Sequence, residues 1–495
     1  MAKKRCRVLG SDQLGGSCRI IILITMGLLL SAGMGAHTEL FAQTAEQPQR
    51  QRILDEPFRL RMDEQIPTEK RVLFDWGGWL RSSYWSIDEQ VDRDFDGSDD
   101  GYHAMRLQQM RLWGYFNLDQ AHQVYGRAKL DYYDWNHGTS YDHNDSDWEG
   151  PNLERGWYNF RLSQYQYGKG ESPGEFDLGV KFGRQYVELG SGLALSVPLD
   201  ALLVNGYYKN WQLTGLGAFS IPSTHNIDRS VPGNSKESRT FWGTQLRYNG
   251  YRNHEPFVYY FAQEDKDGGS VRLDQTYGYD SEYLGAGSRG QFFHRDIQYT
   301  VELVSECGES YAESDTETHQ QRIRAWAFDT ELRYLMNDDH LSQLAVEFVL
   351  ASGDTNRYGS PTNTLYGNQP HSIDTSFSAW GFRNTGMVLA PRMSNLSAIR
   401  LGASTYPANH IELFKNLEVA TNFFLYHKSE SSGAASDSLS VNDHDYLGSE
   451  FDLFINWRIT SDLAWSVQYG VFFPGDAFLT RDDRHLFFTG LLLSF

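Results

Sequence analysis

From position 76 to the end of the chain, apolar and polar residues alternate with a period of two. Within 175–183, Phe176, Leu178, Val180 and Phe182 share one face, while Asp177, Gly179 and Lys181 share the other. Within 155–162, Tyr158, Phe160 and Leu162 oppose Arg155, Asn159 and Arg161. Alternation sustained over about eight residues or more marks β-strands with one apolar and one polar face. The pattern predicts about eighteen of them, over 76–88, 104–118, 122–135, 154–167, 175–186, 199–209, 211–219, 239–249, 256–264, 279–288, 291–305, 322–335, 342–352, 397–405, 412–426, 445–458, 462–473 and 484–495.

The connections carry the fold class. Short links at 119–121, 168–174, 210, 250–255, 289–290, 336–341, 406–411 and 459–461 alternate with long ones at 89–103, 136–153, 187–198, 220–238, 265–278, 306–321, 353–396, 427–444 and 474–483. A soluble sandwich has no reason to alternate loop length in this way. A transmembrane antiparallel β-barrel does, with short periplasmic turns and long extracellular loops. Strands of this length also suit a tilted crossing of a bilayer. The last strand ends on Phe495, with Phe487, Thr489, Leu491, Leu493 and Phe495 on one face. An alternating strand closed by a terminal Phe resembles the signal read by the outer-membrane assembly machinery. Pairing that strand with the first would close the barrel and leave no edge.

Composition agrees with an exported barrel. Of 495 residues, 14% are aromatic and 22% charged, with 46 Gly against 14 Pro, as expected for many strands joined by turns. The formal net charge of −20 argues against a nucleic-acid partner, which would need a basic face. Lys3, Lys4, Arg5, Arg7 and Arg19 precede an apolar run over 20–30 and a small-residue stretch, the layout of a signal peptide over 1–42. A membrane anchor is the alternative, although the run is short for a span. Residues 43–73 are polar and aperiodic, a periplasmic tether or plug segment, and the barrel occupies 74–495. Cys6 and Cys18 leave with the signal, so Cys307 remains alone and no intramolecular disulfide can form. No nucleophile-elbow, zinc-helix or phosphate-loop motif occurs, so no enzyme activity is expected.

Alternation also assigns side chains to the lumen. Arg111, Arg127, Lys129, Asp131, Arg155, Arg161, Lys181, Arg247, Glu302, Glu331, Arg333, Glu347, Arg400, Glu418, Asn422, Asn456 and Arg458 fall on the predicted inward face. Two readings are open for them. They could be Arg–Glu ladders bracing the wall, or a basic conduit for an anionic solute, and both can hold together.

The stretch 182–190, Phe-Gly-Arg-Gln-Tyr-Val-Glu-Leu-Gly, with Arg155 and Arg161 on the strand before it, resembles the Gly-Arg-Gln segment of the alginate export family. The stretch 351–356, Ala-Ser-Gly-Asp-Thr-Asn, opening a long loop, is also similar. The resemblance implies an eighteen-stranded outer-membrane porin that passes an acidic polysaccharide. It adds Arg184 to the lumen candidates and leaves room for periplasmic secretion partners. A monomer is expected. A general or small-solute porin and a soluble secreted carbohydrate-binding β-protein are the alternatives.

Two further features carry expectations. Asp92, Asp94 and Asp96 have the Asp-x-Asp-x-Asp-Gly spacing of a Ca2+ loop, although His103 stands where an EF-hand needs Glu. A solvated acidic loop is the other reading of this stretch. The longest loop, 353–396, carries Trp380, Phe382, Arg383 and Arg392 and is expected either to fold into the mouth as a constriction or to lie as a surface flap.

Overall fold

In the computed structural model, the structure describes residues 74–89, 101–118, 120–140, 146–221, 239–266, 271–272, 275–276, 279–292, 296–313, 318–357, 372–381, 383–437 and 439–495. The proposed signal peptide, the polar segment before Phe74, and Asp92, Asp94, Asp96 and Phe382 lie outside them.

Eighteen strands form the wall: β1 (Phe74–Asp88), β2 (Tyr102–Asn117), β3 (His122–Trp135), β4 (Ser146–Arg161), β5 (Phe176–Leu189), β6 (Leu195–Tyr208), β7 (Trp211–Phe219), β8 (Arg239–Tyr248) and β9 (His254–Asp265) make the first half. The second half is β10 (Tyr279–Phe292), β11 (Ile297–Glu313), β12 (Thr318–Leu335), β13 (Gln343–Ala351), β14 (Leu396–Thr405), β15 (Leu417–His427), β16 (Tyr446–Arg458), β17 (Leu463–Pro474) and β18 (Arg484–Ser494). Each pairs antiparallel with its chain neighbour, and β1 closes the cylinder against β18 from Trp79↔Ser494 to Asp88↔His485. Closure satisfies every strand edge, which a bilayer demands because no water is there to do so. Phe495 is tied down: its amide donates to the Gly78 carbonyl (3.0 Å) and its carbonyl accepts from the Gly78 amide (2.9 Å).

Alternation sorts the two faces as the sequence implies. On β18, Phe487, Leu491, Leu493 and Phe495 are exposed on the outer face, and Leu486 and Phe488 are buried inside. Around the barrel, Leu80, Leu112, Phe182, Leu202, Trp326 and Leu332 lie in the same outward register. An unpaired Arg or Lys in that register would cost about 2–4 kcal/mol at mid-membrane, which is why the register cannot slip.

The strand ends depart from the sequence expectation in several places. β4 stops at Arg161 and is followed by a short helix, α1 (Leu162–Gly168), because the Asp177 carboxylate accepts from the Ser163 amide (2.8 Å) and hydroxyl (2.9 Å) and satisfies the first turn. β10 runs through Arg289 and Gly290 to Phe292 instead of turning there. Gly290 fits because a Cβ would strike the Asn253 carbonyl oxygen of the neighbouring turn. Two connections expected to be long are short, 190–194 between β5 and β6 and 314–317 between β11 and β12, since those strands extend beyond their predicted ends.

Candidate functional site

The long-loop end of the barrel is filled from inside. Residues 375–381 and 383–395 of the loop between β13 and β14 enter the lumen rather than lying outside: Phe377, Trp380, Met387, Val388, Leu389, Ala390 and Met393 are buried with wall residues Phe241, Phe257, Tyr283, Phe424, Phe472 and Phe488. Three wall strands hold it through carboxylates. Glu306 on β11 accepts from the Ser378 amide (2.9 Å), as well as from the hydroxyls of Ser281 (2.6 Å) and Tyr279 (3.2 Å). Asp329 on β12 pairs with Arg383 at 2.6 Å. Glu450 on β16 accepts from the amides of Val388 (2.7 Å) and Leu389 (2.8 Å). Each of these carboxylates is fully buried, so its partners decide whether the arrangement is tolerable.

The β5–β6 turn joins the same closure. Gly190 donates its amide to Gln245 (2.6 Å), and the Ser191 amide and hydroxyl both reach Glu302 on β11 (2.5 Å each). Arg383 in turn donates to the Ser191 carbonyl (2.8 Å). The Trp380 amide donates to the Ala194 carbonyl (2.8 Å) and its carbonyl accepts from Ser196 (3.0 Å), so loop and turn are joined by a two-bond bridge. The Trp380 indole meets Phe241 edge-on at 5.2 Å and lies under the Arg239 guanidinium. A second layer from 428–445 covers the first: Asn395 donates to the carbonyls of Glu430 (3.1 Å) and Ala434 (2.9 Å), Ser436 accepts from the Arg392 amide (3.1 Å), and Asp437 pairs with Arg484 at 2.6 Å. Lys428 closes that segment on the Ser431 and Asn442 carbonyls, and burial pushes its ammonium below the usual lysine range.

Toward the short-turn end the inward face changes character. Trp113, Trp157, Asn159, Lys181, Tyr207, Gln212, Arg333, Arg400 and Asn422 are partly exposed in the inward register, which describes a polar, hydrated vestibule below an apolar cap.

Apart from Arg458, the basic lumen candidates engage carboxylates, aromatic rings or both. Arg111 donates to Asp131 and to Glu154 (3.2 Å), Arg127 shares Glu154 (2.8 Å), and Lys129 pairs with Glu149. A bulge in β4 places Glu154 between those arginines, beside the directly opposed Arg127 and Arg155. Arg155 is buried with its guanidinium 5.3 Å from the Tyr186 ring centroid. Across the barrel, Arg400 binds Glu347 (2.6 Å) and Glu331 (3.2 Å), which also takes Arg333 (2.9 Å). Arg247 and Arg289 share Glu255 at 2.9 Å each. Arg458 sits exposed at the turn end on the Ser461 carbonyl (3.1 Å). For Arg111, Arg127, Lys129, Arg247 and Arg400 the cross-strand ladder is realised. Arg161 pairs across strands with Asp177 (2.7 Å) and also lies over the Tyr207 ring at 4.8 Å, and Lys181 lies over the Trp157 ring at 4.3 Å.

Arg184 does not belong to the lumen. It follows the parity of the exposed Phe182 and forms an outer-face pair with its cross-strand neighbour Asp200 (2.9 and 3.0 Å). The pairing neutralises two charges that the outer register would otherwise leave unmatched. Among the described residues, no group of three or more His, Cys, Asp or Glu is placed to hold a metal ion. The residues that sequence reasoning missed are the loop anchors. Glu302, Glu347 and their neighbours were legible as inward charges, but nothing local to Glu306, Asp329 or Glu450 signals a loop amide or guanidinium as the partner.

A closed eighteen-stranded antiparallel barrel with an apolar outer band, a polar inner face and an inward-folded loop defines an outer-membrane channel, embedded in the lipid of the cell outer membrane. Comparison with known proteins places it further. The alginate export family matches residues 167–490, and the chain belongs to that family. Among solved structures, Pseudomonas aeruginosa OccK5 (OpdH) superposes with a TM-score of 0.52 at 11% identity, covering 85% of this chain and 98% of that one. Pseudomonas aeruginosa OccK7 (OpdD) gives a TM-score of 0.50, also at 11% identity and with the same coverage of 85% and 98%. These likenesses carry the barrel fold and nothing finer. No curated protein sequence matches the chain.

Proposed function

We propose that this channel passes an anionic polysaccharide, such as a polyuronate, through a vestibule whose β3–β5 wall attracts carboxylates, with the inward loop as the gate. The observation that supports this reading most is how the carboxylates are used. Glu302, Glu306, Asp329 and Glu450 are engaged by the loop and the β5–β6 turn, and Glu331 and Glu347 by Arg400. These carboxylates are engaged within the wall and the loop, while on the opposite arc Lys129 and Arg161, each beside a carboxylate of its own, and Lys181 remain partly exposed to the lumen. Cations in a low-dielectric channel lower the electrostatic barrier for an anion, and several weak sites let it leave again. The channel acts as a monomer in this reading, and periplasmic partners would deliver the polymer to the short-turn end.

Reversal potentials in planar bilayers under a salt gradient test the charge argument. Wild type should prefer anions, and Lys129→Gln, Arg161→Gln and Lys181→Gln together should reduce that preference while heat-modifiable gel migration stays intact. Cation preference in wild type, or an unchanged potential in the triple variant, would refute it.

A further inference from the structure

The vestibule holds an arrangement that a purely electrostatic conduit does not need. Trp113 on β2, Tyr125 on β3 and Trp157 on β4 form a continuous row across three strands, with near-parallel rings 6.4 Å and then 5.3 Å apart. The Lys181 ammonium on β5 caps the row, 4.3 Å from the Trp157 centroid. One step toward the short-turn end, Arg161 lies 4.8 Å from the Tyr207 centroid on β6. Arg161 is level with Gly179 in the β4–β5 register, so Lys181 is its diagonal neighbour, roughly 7–8 Å away. All six side chains are in the inward register. Trp113, Trp157, Lys181, Arg161 and Tyr207 keep partial exposure, although lipid contact is closed to them and the apolar cap lies further along the barrel.

A single exposed aromatic needs no explanation, but a contiguous row of rings on a solvated lumen wall marks a surface on which a ligand can pack. A pyranose ring has apolar C–H faces and a polar rim, so it packs on Trp and Tyr as other flat-faced groups do. A uronate adds one carboxylate at the rim, and the two cations stand beside the aromatic row to meet it. Arg161 keeps this role while donating from Nε to Asp177 (2.7 Å), because the guanidinium carries five N–H donors in all and the side chain is half exposed.

We infer that Trp157–Lys181 and Tyr207–Arg161, with the Trp113–Tyr125 row, form a uronate-binding subsite in the short-turn vestibule. There each sugar is read twice, by its C–H face on an aromatic ring and by its carboxylate on a neighbouring cation. This rests on the anionic-polysaccharide reading above and adds to it a site with chemical selectivity. The subsite lies before the loop gate for a polymer that arrives from the periplasm, so it would load the chain ahead of passage.

Single-channel block by a uronate hexamer added on the short-turn side tests it, with a neutral glucan hexamer as control. Wild type should show discrete block events for the uronate and few for the glucan. Trp157→Leu and Tyr207→Leu should shorten uronate residence by about three- to tenfold each, the amount one aromatic contact supplies, while the reversal potential stays at the wild-type value. Trp157→Phe should retain most of the residence time, which separates loss of the ring from misfolding. Unchanged residence in Trp157→Leu overturns the subsite while leaving the charge reading intact, and so does equal block by the neutral hexamer. Absence of both anion preference and uronate block in wild type removes the reading and the subsite together.

Discussion

Arg383 is the residue on which the inward loop turns most directly. It bridges Asp329 on β12 (2.6 Å) and the Ser191 carbonyl of the β5–β6 turn (2.8 Å), and Asp329 is almost wholly buried. Arg383→Ala leaves that carboxylate without its cation. Removing one partner of a buried pair costs about 3–5 kcal/mol. Here the loop can move away and let water reach Asp329, so about 2–3 kcal/mol should fall on the loop-seating equilibrium, a shift of roughly 30- to 150-fold toward the unseated form. The wall ladders are untouched, so the barrel itself should keep its heat-modifiable migration. In planar bilayers the variant should show higher mean conductance and more open-channel noise. Adding Asp329→Asn removes the orphaned charge and should return both toward wild type, because a neutral side chain can be covered again. Conductance and noise equal to wild type in Arg383→Ala, or no recovery in the double variant, would refute the idea that this ion pair seats the loop.

Other outcomes follow from the same contacts. Glu450→Ala strips the acceptor from two buried amides, at about 1–3 kcal/mol each, and should raise conductance by freeing 385–390, read by single-channel recording. Deleting Phe495 removes two backbone bonds to Gly78 at the closing seam and should lower the folded fraction on heat-modifiable gels. Gly183→Ala should lower folding yield, because its φ of +120° disfavours any side chain and a Cβ would strike the Gly156 carbonyl oxygen, whereas Gly217→Ala, in open space, should fold normally.

The wall was legible because alternation is local. All eighteen strands were expected, and the parity that put Phe487, Leu491 and Leu493 outward on β18 matches their exposure. Arg184 illustrates the limit of motif likeness: three positions from the inward Lys181 it has the opposite parity, and only its Gly-Arg-Gln context suggested a lumen place. The α1 turn was hidden because its first-turn donors are satisfied from another strand, by Asp177. The loop's destination was hidden for the same reason at longer range. Ser378 and Glu306, or Leu389 and Glu450, are more than sixty positions apart, and no spacing rule connects an inward carboxylate to a distant loop amide. What the sequence did expose was a loop too long to be a turn, rich in aromatic and arginine side chains.

On the proposed function, the vestibule favours a carboxylated sugar chain over a neutral one of the same size. Efflux of fluorescently labelled uronate and glucan hexamers from proteoliposomes containing the full chain measures that preference directly. Release of the uronate should be faster, with the advantage shrinking as added salt screens the wall cations. Equal rates for the two hexamers, or faster release of the glucan, would contradict it.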